Sequence, residues 1–322
     1  MLPAREQLTI CIAHPAYQLK SRLDAAHPGF NTAEVRNAAD FKRRVAEADV
    51  VVVSGLWSNS LLDGAPRLKF IQSVSAGVDQ FDQAALRAKG IRLASARGVN
   101  ARAVAHHAMA LILALARRLP EAWDNQKRRH WRPMAGNLAD REDELTGKTL
   151  LVVGLGGIGG RLAQLAKAFE MTVIGVRQDP AKGAEGADAV HGFADLPALL
   201  PRADFLALTC PLSAETTGLM DAAAFGRMKP SACLVNVARG GCVVEGDMIA
   251  ALQSGGIAGA ALDVVAEEPL PAASPLWTMP GVLITSHLGG ETRSYEDNVV
   301  EVLMENLRRL WRGDVALRNQ VV

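Results

Sequence analysis

Short runs of β-branched and aliphatic residues alternate with helical patterns along nearly the whole chain, and this alternation limits the fold more than any other feature. A parallel strand reaches its neighbour only through a crossover, so repeated strand–helix–strand units give parallel sheets covered by helices. The fold class is α/β. In the first part, candidate strands lie at residues 8–13, 50–54, 70–74 and 91–94, with helical segments around 41–48 and 82–89. A second series follows at 149–153, 172–176, 204–208, 233–237, 259–264 and 282–285. Residues 101–119 are apolar on more than one face and read as a buried or interface helix connecting two domains; residues 295–311 read as an amphipathic helix. A chain of 322 residues is long enough for two cores.

Composition narrows the function classes. The 35 Lys and Arg against 34 Asp and Glu leave a net charge of +1, which gives no electrostatic case for nucleic acid or a membrane surface. No apolar run approaches the ~18 residues of a membrane span, and the first residues lack the charged, apolar and small-residue order of a signal peptide. Cys11, Cys210, Cys233 and Cys242 are scattered, with neither CxxC nor zinc-ligand spacing. They read as reduced thiols of a cytoplasmic protein that holds no metal.

The most informative motif is LLVVGLGGIG at 150–159, a strand running directly into GxGxxG and then into the helical pattern RLAQLAKAF. At such a joint Gly154 permits the tight turn, Gly156 lets main chain approach a pyrophosphate, and Gly159 lets helix and strand pack closely. The helix N–H groups, beginning at Gly157 and Ile158, then aim at the phosphates of a dinucleotide. The fingerprint expects an acidic residue about 20 positions on, to bind the adenosine ribose. The chain has Arg177 there, whose fork suits a 2′-phosphate. The expectation is NADP(H) over NAD(H), with NAD(H) still admitted; Gln178 and Asp179 beside it weigh the other way.

Three later segments, NVARGGCVVEGDMI (236–249), ALDVVAEEPLPAASPLW (261–277) and LITSHLGGETR (283–293), resemble in order and spacing the signatures of the D-2-hydroxyacid dehydrogenase family. QSVSAGVDQFD (72–82), LTCPLSAETTGLM (208–220) and ENLRRLWRGDVALRNQV (305–321) resemble its substrate loop, nicotinamide-side loop and C-terminal helix and tail. The resemblance implies two doubly wound parallel-sheet domains. A Rossmann-type cofactor domain, residues 100–292, is inserted into a smaller flavodoxin-like substrate domain made of residues 1–99 and 293–322. It also implies His287 as catalytic acid/base, Glu268 as its partner, and Arg239 as the group binding the substrate carboxylate and carbonyl. Glu268 is preferred over Glu267 because the family's glutamate directly precedes proline, here Pro269. Ser75, Ala76 and Gly77 match the loop whose backbone binds the substrate carboxylate, while Cys210, Pro211 and Asp263 border the nicotinamide.

Elementary chemistry agrees with these roles. Reduction of a 2-keto acid needs a hydride and a proton, and an imidazolium gives a proton near neutral pH. Arginine matches a planar carboxylate bidentately. The implied activity is reduction of a small 2-keto acid of the glyoxylate or hydroxypyruvate type, in a homodimer that buries the outer face of the 101–119 helix. His106 stands where the family carries an acidic residue, Ser286 where it carries proline, and Glu245-Gly246 where it often carries Asp-Glu. Three other readings compete: an NAD-using phosphoglycerate-type dehydrogenase, a formate dehydrogenase, which Glu268 opposes, and a cofactor-sensing binding protein. Among the seven histidines, His106 and His107 read as structural or interface residues of the apolar helix, and Trp57 is left without a role.

Overall fold

The computed structural model describes residues 2–322, which divide into two compact units: residues 2–100 with Thr292–Val322, and Ala101–Glu291. The first unit holds β1 (Thr9–Ala13), β2 (Asn31–Val35), β3 (Val50–Val53), β4 (Phe70–Ser73) and β5 (Arg92–Ala94). All are parallel, in the order β2-β1-β3-β4-β5. Its strands are apolar throughout because both faces are covered. Ile10, Ile12, Val50, Val52 and Phe70 meet Val299, Leu303 and Leu307 of the helix Tyr295–Arg312 on one face. Cys11, Ala13, Val51, Val53 and Ile71 meet Phe41 and Leu86 on the other. The outer edge of β5 is occupied: Leu93 N–H donates to the Val322 carbonyl at 3.1 Å, and Val321 N–H returns to Leu93 at 2.8 Å.

The second unit holds β6 (Thr149–Val153), β7 (Thr172–Val176), β8 (Ala189–His191), β9 (Phe205–Leu208), β10 (Cys233–Asn236), β11 (Gly259–Leu262) and β12 (Val282–Ile284). They are parallel in the order β12-β11-β10-β9-β6-β7-β8. Alternate residues again sort to opposite faces. Leu150, Val152, Val173 and Val235 pack with Val104, Leu111 and Leu162, whereas Leu151, Val153, Ile174 and Leu234 pack with Met248. The chain order reverses at β6, which pairs with β7 on one side and β9 on the other. A doubly wound sheet opens a crevice at the carboxyl ends of its strands at this point.

The structure departs from the sequence reading in four places. β2 and β8 were not expected, nor was the helix Leu19–Ala26. Both strands are at sheet edges, where partial exposure erases the apolar run that marks a covered strand. The apolar segment 101–119 is not continuous. It ends at Ala116, Arg118 takes φ +49°, and a second helix, Leu119–Lys127, starts with Pro120 in its first turn.

Candidate active site

The glycine loop occupies the switch point. A Cβ on Gly154, whose φ is +102°, would sit 2.4 Å from the backbone nitrogen of Cys210, and one on Gly159 would sit 2.3 Å from the Gly154 carbonyl oxygen. Gly156, the N-cap of the helix Gly157–Ala168, has nothing within 4 Å of its Cβ position. Crowding at two glycines folds the loop tightly, and the open third leaves main chain and helix N-terminus free for an anion. This cradle fits the pyrophosphate of a nicotinamide dinucleotide. Thr209 Oγ1 donates to the Gly154 carbonyl at 2.8 Å and ties the loop to the segment carrying Cys210 and Pro211. The Cys210 thiol is buried, and its hydrogen bond with Cys242 together with burial pushes its pKa up.

Arg177 directly follows β7. Its Nη1 donates to the Gly183 carbonyl at 3.0 Å and lies 4.0 Å from the Glu185 carboxylate. The Asp179 carboxylate serves its own loop, accepting from Ala181 N–H at 3.1 Å.

Arg239, Glu268 and His287 follow β10, β11 and β12, three neighbouring strands. Buried Asn236, the last residue of β10, shapes the first turn: its Nδ2 donates to the Arg239 carbonyl at 3.0 Å, and its Oδ1 accepts from Ala238 N–H at 3.0 Å. Arg239 Nη1 donates to the Ala238 carbonyl at 2.6 Å. Gly240 lets this turn meet the next segment, since a Cβ there would lie 1.9 Å from the Val265 carbonyl oxygen. Glu245 accepts from Ala266 N–H at 3.2 Å and joins the same two segments.

Glu268 and His287 come together. Glu268 Oε1 accepts from Val265 N–H at 3.2 Å, and Oε2 faces His287 Nδ1 at 2.8 Å. Asp263, which follows β11, is 4% exposed and accepts from Leu288 N–H, Gly289 N–H and Thr285 Oγ1 at 2.9, 3.0 and 2.6 Å. Burial alone would push its carboxyl up, but hydrogen bonds from His107, Thr285, Gly289 and Leu288 outweigh that and draw it down to about 2.

His107 is the residue that sequence reasoning passed over. Its Nε2 is 2.9 Å from Thr285 Oγ1 and 3.3 Å from Asp263 Oδ1. The available signal was its position on the buried stripe of the helix, between Val104 and Leu111, where a polar ring needs a partner.

In the first unit, Ser75 N–H donates to Ser73 Oγ at 3.1 Å, while Ser73 Oγ donates to the Ser75 carbonyl at 3.1 Å. Ser75 N–H is thus engaged internally, and Ala76 and Gly77 are the rest of that loop's predicted anion-binding backbone. Tyr295 Oη donates to the Val74 carbonyl at 2.6 Å and fastens the loop's entry. Trp57 packs between Phe41 and Phe81 as a core residue. Among the described residues, no helix is long and apolar enough to cross a membrane.

The chain is similar to known proteins over most of its length. Residues 109–289 match the family model described as D-isomer specific 2-hydroxyacid dehydrogenase, NAD binding domain. The glyoxylate/hydroxypyruvate reductase B of Citrobacter koseri is 39% identical over 260 residues, covering 80% of this chain and 79% of the relative. The D-3-phosphoglycerate dehydrogenase of Methanocaldococcus jannaschii is 37% identical over 281 residues, 85% of this chain but 52% of that one. A D-isomer specific 2-hydroxyacid dehydrogenase family protein of Aeromonas salmonicida superposes with a TM-score of 0.86 at 32% identity, covering 98% of this chain and 99% of that structure. The chain belongs to the D-isomer specific 2-hydroxyacid dehydrogenase family and is an oxidoreductase with a nicotinamide-nucleotide binding domain.

Proposed function

We propose that the protein reduces a small 2-keto acid of the glyoxylate or hydroxypyruvate type to the D-2-hydroxy acid, with NADPH as preferred cofactor. The observation that carries this reading is the 2.8 Å contact between His287 Nδ1 and Glu268 Oε2. With Nδ1–H directed at the carboxylate, Nε2 is the ring nitrogen left to hand a proton to a carbonyl oxygen. Bound at the glycine loop, a reduced nicotinamide supplies the hydride. Glu268 fixes the imidazole ring and balances its charge. Arg239 pairs with the substrate carboxylate and polarises the adjacent carbonyl; the Ser75–Gly77 loop, through Ala76 and Gly77 in particular, offers backbone N–H groups to a carboxylate. Cys210, Pro211 and Asp263 border the nicotinamide, and Arg177 receives the 2′-phosphate.

The substrate class is supported by the reductase from Citrobacter koseri. The reading extends to a homodimer in the cytoplasm. Leu119, Trp123, Trp131, Met134 and Leu138 are exposed within one short stretch, which supports a second copy as their cover.

The test is oxidation of NADPH and NADH, in parallel, with glyoxylate, hydroxypyruvate, pyruvate, phenylpyruvate and 3-phosphohydroxypyruvate. Turnover fastest with NADPH and one of the first two supports the proposal. An NAD-using phosphoglycerate-type enzyme is the second reading, favoured by the engagement of Arg177 with Gly183 and Glu185; NADH with 3-phosphohydroxypyruvate as best pair would establish it. Binding of both cofactors without any turnover would overturn both in favour of a sensing protein.

A further inference from the structure

The backbone of His287 has φ +57°, the left-handed region that L residues rarely occupy. A residue stays there only where its surroundings hold it. His287 N–H donates to the carbonyls of Asp263 at 2.8 Å and Thr285 at 3.0 Å. The next two N–H groups, of Leu288 and Gly289, go to Asp263 Oδ1 at 2.9 Å and Oδ2 at 3.0 Å. Thr285 Oγ1 donates to Asp263 Oδ1 at 2.6 Å, so its lone pair is what faces His107 Nε2 at 2.9 Å, and His107 is the donor. His107 stands on the helix Ala101–Ala116, whose packing in the core gives the chain of bonds a fixed end. The arrangement is closely fitted: a Cβ on Gly289 would be 2.8 Å from Asp263 Oδ2 and 3.1 Å from His107 Cδ2.

We propose that His107, Thr285 and Asp263 form a positioning chain that holds the 285–289 turn, and with it the His287 ring, against Glu268. The proposal rests on His287 as proton donor and assigns the three residues no contact with the reacting atoms. A carboxylate offers roughly four acceptor sites. In Asp263 three are taken by Thr285, Leu288 and Gly289, and His107 approaches at 3.3 Å. The carboxylate is thereby committed to the turn.

Thr285→Val removes the hydroxyl at almost constant shape, and Thr285→Ser keeps it. Thr285→Val should lower kcat by about 10- to 100-fold, the scale of a displaced proton donor, while the Kd for NADPH from fluorescence quenching stays near the wild-type value. Thr285→Ser should restore kcat. In a crystal structure of Thr285→Val, the separation of His287 Nδ1 from Glu268 should exceed about 3.5 Å. Unchanged kcat with the contact intact overturns the proposal. So does an equal loss of kcat and cofactor affinity, which would show that Thr285 and Asp263 hold the cofactor rather than the 285–289 turn, or failure of Thr285→Ser to rescue. If the wild type reduces no keto acid, the functional reading fails, and the crystallographic separation alone still decides whether the chain positions His287. Should Thr285→Val not fold, His107→Leu cuts the chain at its outer end and is judged by the same measurements.

Discussion

Glu268 is the anchored member of its pair with His287: the Val265 N–H holds one carboxylate oxygen at 3.2 Å, and the other meets the imidazole at 2.8 Å. The loop sets the carboxylate, and the carboxylate sets the ring.

His287→Ala should lower kcat by about 10²- to 10⁴-fold, the range for a positioned general acid, while NADPH binding is retained. Steady-state kinetics beside a cofactor titration decide it. Near-normal turnover in a folded variant would refute the role.

Gly240→Ala should destabilise the protein by about 1–3 kcal/mol, because the added carbon meets backbone, which moves only with its segment. That contact would be 1.9 Å from the Val265 carbonyl oxygen. Gly246→Ala is the control: it lies in the helix Glu245–Gln253 with nothing within 4 Å of a Cβ, and should gain up to about 1 kcal/mol. Urea unfolding of the two variants should move in opposite directions.

Asp263 links stability to acid. Its carboxyl is lowered from 3.8 to about 2, so its contribution is complete above the unfolded value and disappears as pH falls through the folded one. The shift corresponds to about 2 kcal/mol. The stability gap between wild type and Asp263→Asn should therefore be full at about pH 6 and narrow below about pH 3. A gap that does not change with pH would show that the carboxylate's charge contributes nothing.

Arg177→Ala should weaken NADPH about 10- to 100-fold and NADH little, the difference expected for one charge-assisted contact. Equal effects on the two cofactors would leave Arg177 as a brace for the Gly183 carbonyl. Glu185→Gln should favour NADPH, since it removes a carboxylate 4.0 Å from the guanidinium.

The parallel α/β plan was legible because strands covered on both faces write uninterrupted apolar runs into the sequence. β2 escaped because only Val35 of its five residues is buried, and β8 because its three residues, Ala189, Val190 and His191, form no apolar run. The turn at Arg118 was hidden because the apolar run up to Ala116 resumes at Leu119, although Pro120 marked the first turn of a new helix. Within the site, the contact of Glu268 with His287 follows motifs that the resemblance had already singled out. The role of His107 did not, because a histidine on an apolar helix usually packs, and its partner Thr285 is 178 positions away. Engagement of Ser75 N–H by Ser73 depends on the fold of that loop, which residue types alone do not encode.

The rims of both sheets carry a last consequence. β8 and β12 end the larger sheet with three residues each, β5 is already bonded along its outer side, and β2 exposes Asn31 and Glu34. An open strand edge is a template on which a second chain can polymerise, the step that begins fibrillar aggregation. Here each rim is brief, polar or already taken. Self-association of this protein is thereby steered away from sheet extension and toward contacts between side chains, which can be specific and reversible.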